Sequence, residues 1–390
     1  MLPQTHKALI LTSIGEPLHV ATSHPTPELT AGSAIIKVLC AGLLSYSRDI
    51  YNGTRKYTLP TPSIPGSGAI GRVVALGADA TSLREGDLVL CDIYLRGRDD
   101  RDVGALMGVH DGHSERAKRM VHGERRDSTY AEYVKLPLEN CFRLNEEKLL
   151  GPAMVSAGGG RTGLGYSVEE LLHLTTFAVP YGGLRDVGLD VCETVLIAPA
   201  TGMFGSAAVK VALAMGANVI AMGRNGKALE QLQSDHLNTT GGTGKGCRLE
   251  TVLITNNIQA ETAAIASFGL PVDVYFDISP PSASESTHLR SGILSVRHGG
   301  RVSLMGGIKG DVSVPLGHVM HANMTIKGKW MYERDDILRL IKMAESGRLR
   351  VDGGSVKKYA LEQWEEAFEV AAREAGPGRL VALVPESFES

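Results

Sequence analysis

Residues 193–212 read ETVLIAPATGMFGSAAVKVA, and their order decides how the middle of the chain folds. Thr194 to Ala198 has the character of a buried strand, and the small residues from Gly205 onward suit a tightly packed helix. Between them, Ala200-Thr-Gly202-Met-Phe-Gly205 carries the G/A-x-G-x-x-G spacing. Gly202 lets the backbone approach a pyrophosphate, and Gly205 lets the helix pack closely on the strand. The helix amino terminus adds unpaired N–H groups and a positive dipole end for the anion. A strand before and a helix after mark this turn as a dinucleotide site. Its expected contacts are Ala200, Thr201, Gly202, Met203, Phe204 and Gly205.

Outward from this turn the pattern repeats. Apolar strands NVIAMG (218–223), TVLIT (251–255), VDVYFDIS (272–279) and RVSLMGG (301–307) alternate with helical stretches such as 227–233 and 259–269. Such alternation means right-handed βαβ units on a parallel sheet, covered by helices on both faces. We place this α/β, Rossmann-type domain at 166–324, preceded by an amphipathic helix over 168–187. Its second strand ends in Gly223-Arg224-Asn225-Gly226-Lys227, with no acid to bond a ribose 2′-hydroxyl. Arg224 lies 19 residues beyond Gly205, where a guanidinium pairs a 2′-phosphate. Gly223, Arg224, Asn225 and Lys227 therefore join the cofactor set, and the expected cofactor is NADPH.

The first 145 residues differ. AIIKVLCAG (34–42), GRVVALG (71–77), GDLVLCDIYL (86–95) and STYAEYVKLP (128–137) read as short strands, and five prolines between Pro25 and Pro65 prevent long helices. Between Arg96 and Asp127, eight cationic and seven acidic side chains fall within 32 residues, which reads as a solvated, partly helical excursion. Its histidines 110, 113 and 122 lack accompanying carboxylate or cysteine spacing, so no metal site is expected there.

Composition narrows the classes further. A net charge of −3 over 390 residues removes any global electrostatic case for nucleic acid or an anionic membrane. Glycine, at 46 residues, is about 12% against a typical ~7%, without the period of collagen, so it serves turns and close approaches. Five cysteines, at 40, 91, 141, 192 and 247, are scattered too widely for a disulfide framework or a zinc finger. The first fifteen residues lack a cleavage site, and no run approaches ~18 uncharged apolar residues. A cytoplasmic protein is expected. Two other glycine tracts are dismissed. Residues 241–246 lack the Ser/Thr of a Walker loop, and 156–165 follow no strand.

Taken in order, several motifs resemble the medium-chain dehydrogenase/reductase superfamily. They are Ile64-Pro-Gly66-Ser-Gly68-Ala-Ile-Gly71-Arg-Val-Val-Ala-Leu-Gly77, Glu85-Gly-Asp87, Thr129-Tyr-Ala-Glu-Tyr-Val134, the glycine turn, Gly299-Gly-Arg-Val-Ser-Leu-Met-Gly306 and Gly378-Arg-Leu-Val. The resemblance implies a chaperonin-10-like (GroES-like) β-rich catalytic domain from 1–165 and 325–390, the Rossmann domain inserted in it, and an active-site cleft between them. It also implies cofactor contacts at Met305 and Gly306, and a homodimer or homotetramer. The zinc enzymes of the family hold metal through three side chains. Here the aligned positions are Tyr46, Ser67 and Thr175, with Gly68 where a glutamate would stand. None is a zinc ligand.

Without that Lewis acid, the zinc-independent branch is the better resemblance: quinone oxidoreductases and 2-enoyl or enone reductases. The implied reaction adds hydride to a conjugated carbonyl or quinone, which needs hydrogen-bond donors at oxygen and a proton at the α-carbon. Tyr57, in Gly53-Thr-Arg-Lys-Tyr57, and Tyr46, at the vacated ligand position, are the candidate catalytic residues. Arg48 and Lys56 are candidates for anion binding, and Asp49 for orienting backbone. Two alternatives stay open. One is a zinc-independent ketone reductase or alcohol dehydrogenase. The other is an NADPH-binding protein similar to zeta-crystallin with a nucleic-acid-binding or structural role.

Overall fold

The computed structural model describes residues 2–153, 163–240 and 246–386. The two dismissed glycine tracts fall largely outside these ranges. The chain separates into two compact units. One comprises residues up to Thr175 with 354–375 and the stretch from Arg379. The other comprises 176–353 with 376–378.

The first unit begins with β1 (Thr5–Ile10) and β2 (His19–Pro25), an antiparallel pair. Then come β3 (Ser33–Gly42), the short helix α1 (Ser47–Tyr51), β4 (Ala69–Leu76), β5 (Leu88–Cys91), β6 (Tyr94–Arg96) and β7 (Gly104–Leu106). Helix α2 (Glu115–His122), β8 (Tyr133–Pro137), β9 (Cys141–Arg143) and α3 (Glu146–Leu150) complete this part. Strand β3 is buried along nearly its whole length because it has neighbours on both sides, pairing antiparallel with β4 and β8. Leu9, Ile36, Val89 and Tyr130 pack in one core, each contributing about 1.5–3 kcal/mol on burial.

The charged 96–127 stretch is not a solvated excursion. Strands β6 and β7 form an antiparallel pair, and Leu95, Ala105, Met107, Val109 and Val121 belong to the same core. Ser114 caps α2 by accepting from the Ala117 N–H at 3.2 Å, which sets Ala117 and Val121 one turn apart on its buried side. The charges pair around the outside, as Lys118 does with Glu115 at 2.7 Å and Arg98 with Glu139 at 2.6 Å. A few well-spaced apolar side chains suffice to fold a segment whose average composition is polar.

The second unit is a parallel sheet wrapped by helices. Helix α4 (His173–Asp186) leads into β10 (Thr194–Ala198), α5 (Met203–Met215), β11 (Asn218–Gly223), α6 (Gly226–Thr240), β12 (Leu249–Leu253) and α7 (Ile258–Ala266). Then follow β13 (Val272–Asp277), α8 (His288–Ser295), β14 (Val296–Leu304), α9 (Leu316–His321), β15 (Thr325–Gly328) and α10 (Arg334–Glu345). The six strands lie in the order β12-β11-β10-β13-β14-β15, all parallel. The chain reverses its direction of growth between β10 and β13, the place where open α/β sheets bind ligands. Strands β10 and β13 are buried at every position, which explains why they are mostly apolar, Asp273 and Asp277 of β13 being the buried exceptions.

Two expectations shift here. Helix α4 is buried nearly all round rather than amphipathic: Gly182 and Gly183 let it sit against Tyr332, Phe276 and Met305, and Pro180 lies within it. The β-rich unit resumes at Gly354, not at 325, because β15 pairs with β14 and extends the parallel sheet. Strands β16 (Ser355–Ala360) and β17 (Arg379–Val384), with helix α11 (Trp364–Arg373) between them, then return to the first sheet, β17 pairing antiparallel with β3. Among the described residues no helix is long and apolar enough to cross a membrane.

Candidate active site

In the second unit, the turn after β10 is built as its spacing requires. The Ala200 N–H donates to Met222 O at 2.7 Å, tying the turn to the neighbouring strand β11. A Cβ on Gly205 would overlap the Pro199 carbonyl oxygen, so only glycine lets α5 start this close to the turn. Gly202 is the N-cap of α5, without a side-chain cap, and a Cβ there would meet nothing within 4 Å. The first N–H groups of α5, from Met203, Phe204 and Gly205, have no intrahelical partner. A phosphate fits this arrangement.

Beyond the turn lies a cavity of about 730 Å³, lined by Thr201, Arg224, Asn225, Gly226, Lys227 and Glu230. Gly223 ends β11 close enough that a Cβ would stand 2.7 Å from the Thr201 methyl. Asn225 caps α6 by accepting from the Ala228 N–H at 3.2 Å. The structure thus brings Thr201, Arg224, Asn225 and Lys227 together, and both cations are exposed. Glu230 on the same wall escaped the sequence reading. It sits inside α6 with no motif to mark it, and it opposes an anion that the two cations attract.

Met305 and Gly306 follow β14. The Met305 N–H donates to Asp277 O at 2.9 Å, and a Cβ on Gly306 would stand 2.6 Å from Ser279 N. Both therefore lie at the carboxyl edge of the sheet, the edge from which the glycine turn also leaves. Beneath them is a buried polar group that sequence reasoning missed. The Ser279 hydroxyl donates to Asp277 Oδ1 at 2.5 Å and lies 2.6 Å from His288 Nε2, while His288 Nδ1 lies 2.7 Å from Ser286 Oγ. Asp277, Ser279 and His288 are buried and only Ser286 is partly exposed, so the group braces the loop after β13.

In the first unit, Tyr46 and Tyr57 are brought together by a residue the sequence did not single out. The Arg55 guanidinium lies 4.0 Å from the centre of the Tyr46 ring and 4.7 Å from that of Tyr57. Arg55 Nη2 also donates to the Tyr57 hydroxyl at 2.7 Å. Burial, with Tyr57 beside it, pushes the Tyr46 phenol up to about 12. The other face of Tyr57 meets His110 edge-on at 4.6 Å, and His113 lies a further 4.6 Å along. Arg48 is not available to a ligand: it pairs with Glu369 at 2.8 Å and with Asp49 at 3.3 Å. Lys56 is exposed, and the Asp49 carbonyl accepts from the Arg55 N–H at 2.6 Å.

The three positions aligned with the family's zinc ligands carry hydroxyls, and two are already committed. Ser67 Oγ donates to Gly42 O, and Thr175 Oγ1 donates to Leu172 O at 2.7 Å. A Cβ on Gly68 would stand 2.6 Å from the Thr175 methyl, which leaves no room for a glutamate there. Cys40, Cys91 and Cys141 are buried, and burial pushes their thiols up, away from the thiolate that zinc requires. This donor set does not fit zinc.

Comparison with known proteins follows the same outline. The Alcohol dehydrogenase GroES-like domain family matches residues 30–146, and the Zinc-binding dehydrogenase family matches residues 204–346. The chain belongs to the medium-chain dehydrogenase/reductase superfamily, and it is an oxidoreductase of that type. L-threonine 3-dehydrogenase of Streptomyces avermitilis is 24% identical over 365 residues, covering 92% of this chain and 94% of the relative. An alcohol dehydrogenase from E. coli CFT073, complexed with NADH, superposes with a TM-score of 0.74 at 16% identity, covering 98% of this chain and all of that one. A protein of Sinorhizobium meliloti 1021, assigned as a zinc-binding dehydrogenase and bound to NADP, superposes at 0.73 with 17% identity over 98% and 100% of the two chains. These relatives are threonine and alcohol dehydrogenases, not the quinone oxidoreductase or enoyl reductase branch that the missing ligands suggested.

Proposed function

We propose that the protein is an NADPH-dependent, zinc-independent reductase of a carbonyl compound, with a conjugated carbonyl (an enone, enoyl compound or quinone) as its first substrate class. The observation that carries this reading is the hydroxyl set at Tyr46, Ser67 and Thr175, in place of any metal-binding side chain. NADPH, when bound, supplies a hydride. The residues that hold it are those of the glycine turn, with Arg224 and Lys227 at the 2′-phosphate.

The chain's own chemistry lies at Tyr57. Its oxygen already accepts from Arg55, so its proton is left for donation to another group. The guanidinium offsets the charge that remains on the oxygen once the proton has gone. Hydride arriving at the β-carbon of a conjugated carbonyl leaves negative charge on oxygen and calls for a proton at the α-carbon. A phenol held in this way supplies the proton without a Lewis acid. The names of the relatives favour a second reading, reduction of a simple ketone or oxidation of a secondary alcohol, with Tyr57 serving the oxygen directly.

The test is NADPH consumption over a panel of enones, enoyl thioesters, quinones and ketones, with metal analysis of the same sample. Turnover of an enone by zinc-free protein supports the first reading, and turnover of ketones alone supports the second. Activity that follows stoichiometric zinc and vanishes with a chelator would sink both.

A further inference from the structure

Arg55 is placed to do more than hold Tyr57. It follows Gly53, whose φ of +78 turns the chain back after α1, and its N–H donates to Asp49 O, so the side chain is folded between two aromatic rings. Those rings strip much of the water from the guanidinium, and its Nε is buried without a partner. Several arginines of this unit face carboxylates, Arg48 with Glu369, Arg72 with Glu146 and Arg98 with Glu139, while Arg126 donates to the Pro62 carbonyl. Arg55 faces none among the described residues. The nearby Asp111 is occupied twice, by the Thr58 hydroxyl at 2.5 Å and by His122 Nε2 at 2.9 Å. A partly covered cation without a paired anion is costly, and cation–π contact with two rings offsets only part of that cost.

The neighbours add donors, and Asp111 adds a buried carboxylate beside His110. Burial, with His113 beside it, holds the His110 imidazole below its usual range, so the ring is neutral near pH 7. His110 Nδ1 accepts from the Gly112 N–H at 2.8 Å, which puts the proton of the neutral ring on Nε2. With the Asp111 carboxylate held by Thr58 and His122, the cluster offers a ligand the guanidinium of Arg55 with its remaining Nη protons and one imidazole N–H. A singly charged planar anion matches that inventory, because a guanidinium fork takes a carboxylate through two parallel bonds.

We propose that Arg55, with His110 Nε2–H, binds a carboxylate carried by the substrate, a few bonds from the carbon that Tyr57 protonates. The proposal rests on the reductase reading above and sharpens it: the substrate is an unsaturated acid or an oxo acid rather than a neutral enone or quinone.

Direct binding separates the two ideas. Calorimetric titration of the full chain with benzoate reads the anion site without turnover, with benzamide and inorganic phosphate as companions. Benzoate is expected to bind saturably, benzamide not at all, and phosphate more weakly. Arg55→Gln and Arg55→Met, neutral variants of different shape, should each weaken benzoate by about tenfold or more while leaving NADPH affinity intact. Absence of benzoate binding to the wild type, or equal binding by either variant that keeps its NADPH affinity, overturns the proposal. Tighter binding of phosphate than of benzoate also overturns it. Should benzoate bind as expected while no carbonyl compound is reduced, the reductase reading fails and the anion site stands.

Discussion

Arg55 Nη2 donates to the Tyr57 hydroxyl at 2.7 Å, so the phenol accepts from one side and keeps its own proton for another partner. A solvated loop tyrosine would have neither property. If this phenol is the proton donor, Tyr57→Phe should lower kcat by about 10–1000-fold and leave NADPH affinity unchanged. Stopped-flow turnover with a separate NADPH titration measures both, and unchanged kcat removes Tyr57 from the mechanism.

Cofactor choice rests on the cations beyond β11. Arg224→Ala should raise the apparent Kd for NADPH by about 10–100-fold, the loss of ~1.5–3 kcal/mol of charge-assisted hydrogen bonding, with little change for NADH. Glu230→Gln should act in the opposite direction, tightening NADPH several-fold, because it removes the one carboxylate lining the cavity. Fluorescence titration with both nucleotides checks the pair. Equal losses for NADPH and NADH in Arg224→Ala would contradict the assignment.

Gly205 is a matter of space, not flexibility. Any side chain there meets the Pro199 carbonyl, and backbone cannot yield as a flexible side chain does. Gly205→Ala should destabilise by about 1–3 kcal/mol and weaken both nucleotides together. Thermal unfolding with and without nucleotide would show it. Wild-type Tm with wild-type nucleotide affinity is the contrary result.

The Ser279 hydroxyl bridges two buried groups, Asp277 and His288. Ser279→Ala would leave Asp277 and His288 facing each other with a donor missing, at a cost of about 1–3 kcal/mol. Urea denaturation measures the loss, and a variant as stable as the parent would show that the group is not a brace.

His6 gives the stability a pH dependence. It is 2% exposed, and burial together with His24 holds its imidazole down at about 4 instead of 6.5. The folded state thus favours the neutral ring, and between these values the unfolded chain binds the extra proton. This contribution is complete above pH 6.5 and is lost as the pH falls through about 4. Replacing the ring, as in His6→Leu, should flatten the fall in urea midpoint over that window relative to the parent. Parallel pH profiles for the two proteins would refute this.

Much of this architecture is written locally. The parallel sheet is legible because its central strands β10, β11 and β13 are buried on both faces and so are mostly apolar, and the glycine turn because a phosphate and a close helix demand small residues at set spacing. Two readings failed, and one strand went unread, where burial depends on partners far along the chain. The 96–127 segment looked solvated until Leu95, Met107 and Val121 were seen to enter a core built mostly elsewhere. Strand β16, whose SVKKYA mixes charge with few apolar residues, is recognisable only by its pairing with β17. Helix α4 looked one-sided until strands and helices closed over it.

The amino acids taken in order were thus enough for the sheet, the glycine turn and the cationic end of β11. Each follows from short-range spacing or from residue identity. Folding alone set Arg55 between Tyr46 and Tyr57 and brought His110 to them from more than fifty residues away. Before that packing Arg55 is one more loop cation with water around it. Packing covers part of it with two rings and pairs it with no carboxylate among the described residues, which is the ground for the anion site proposed above.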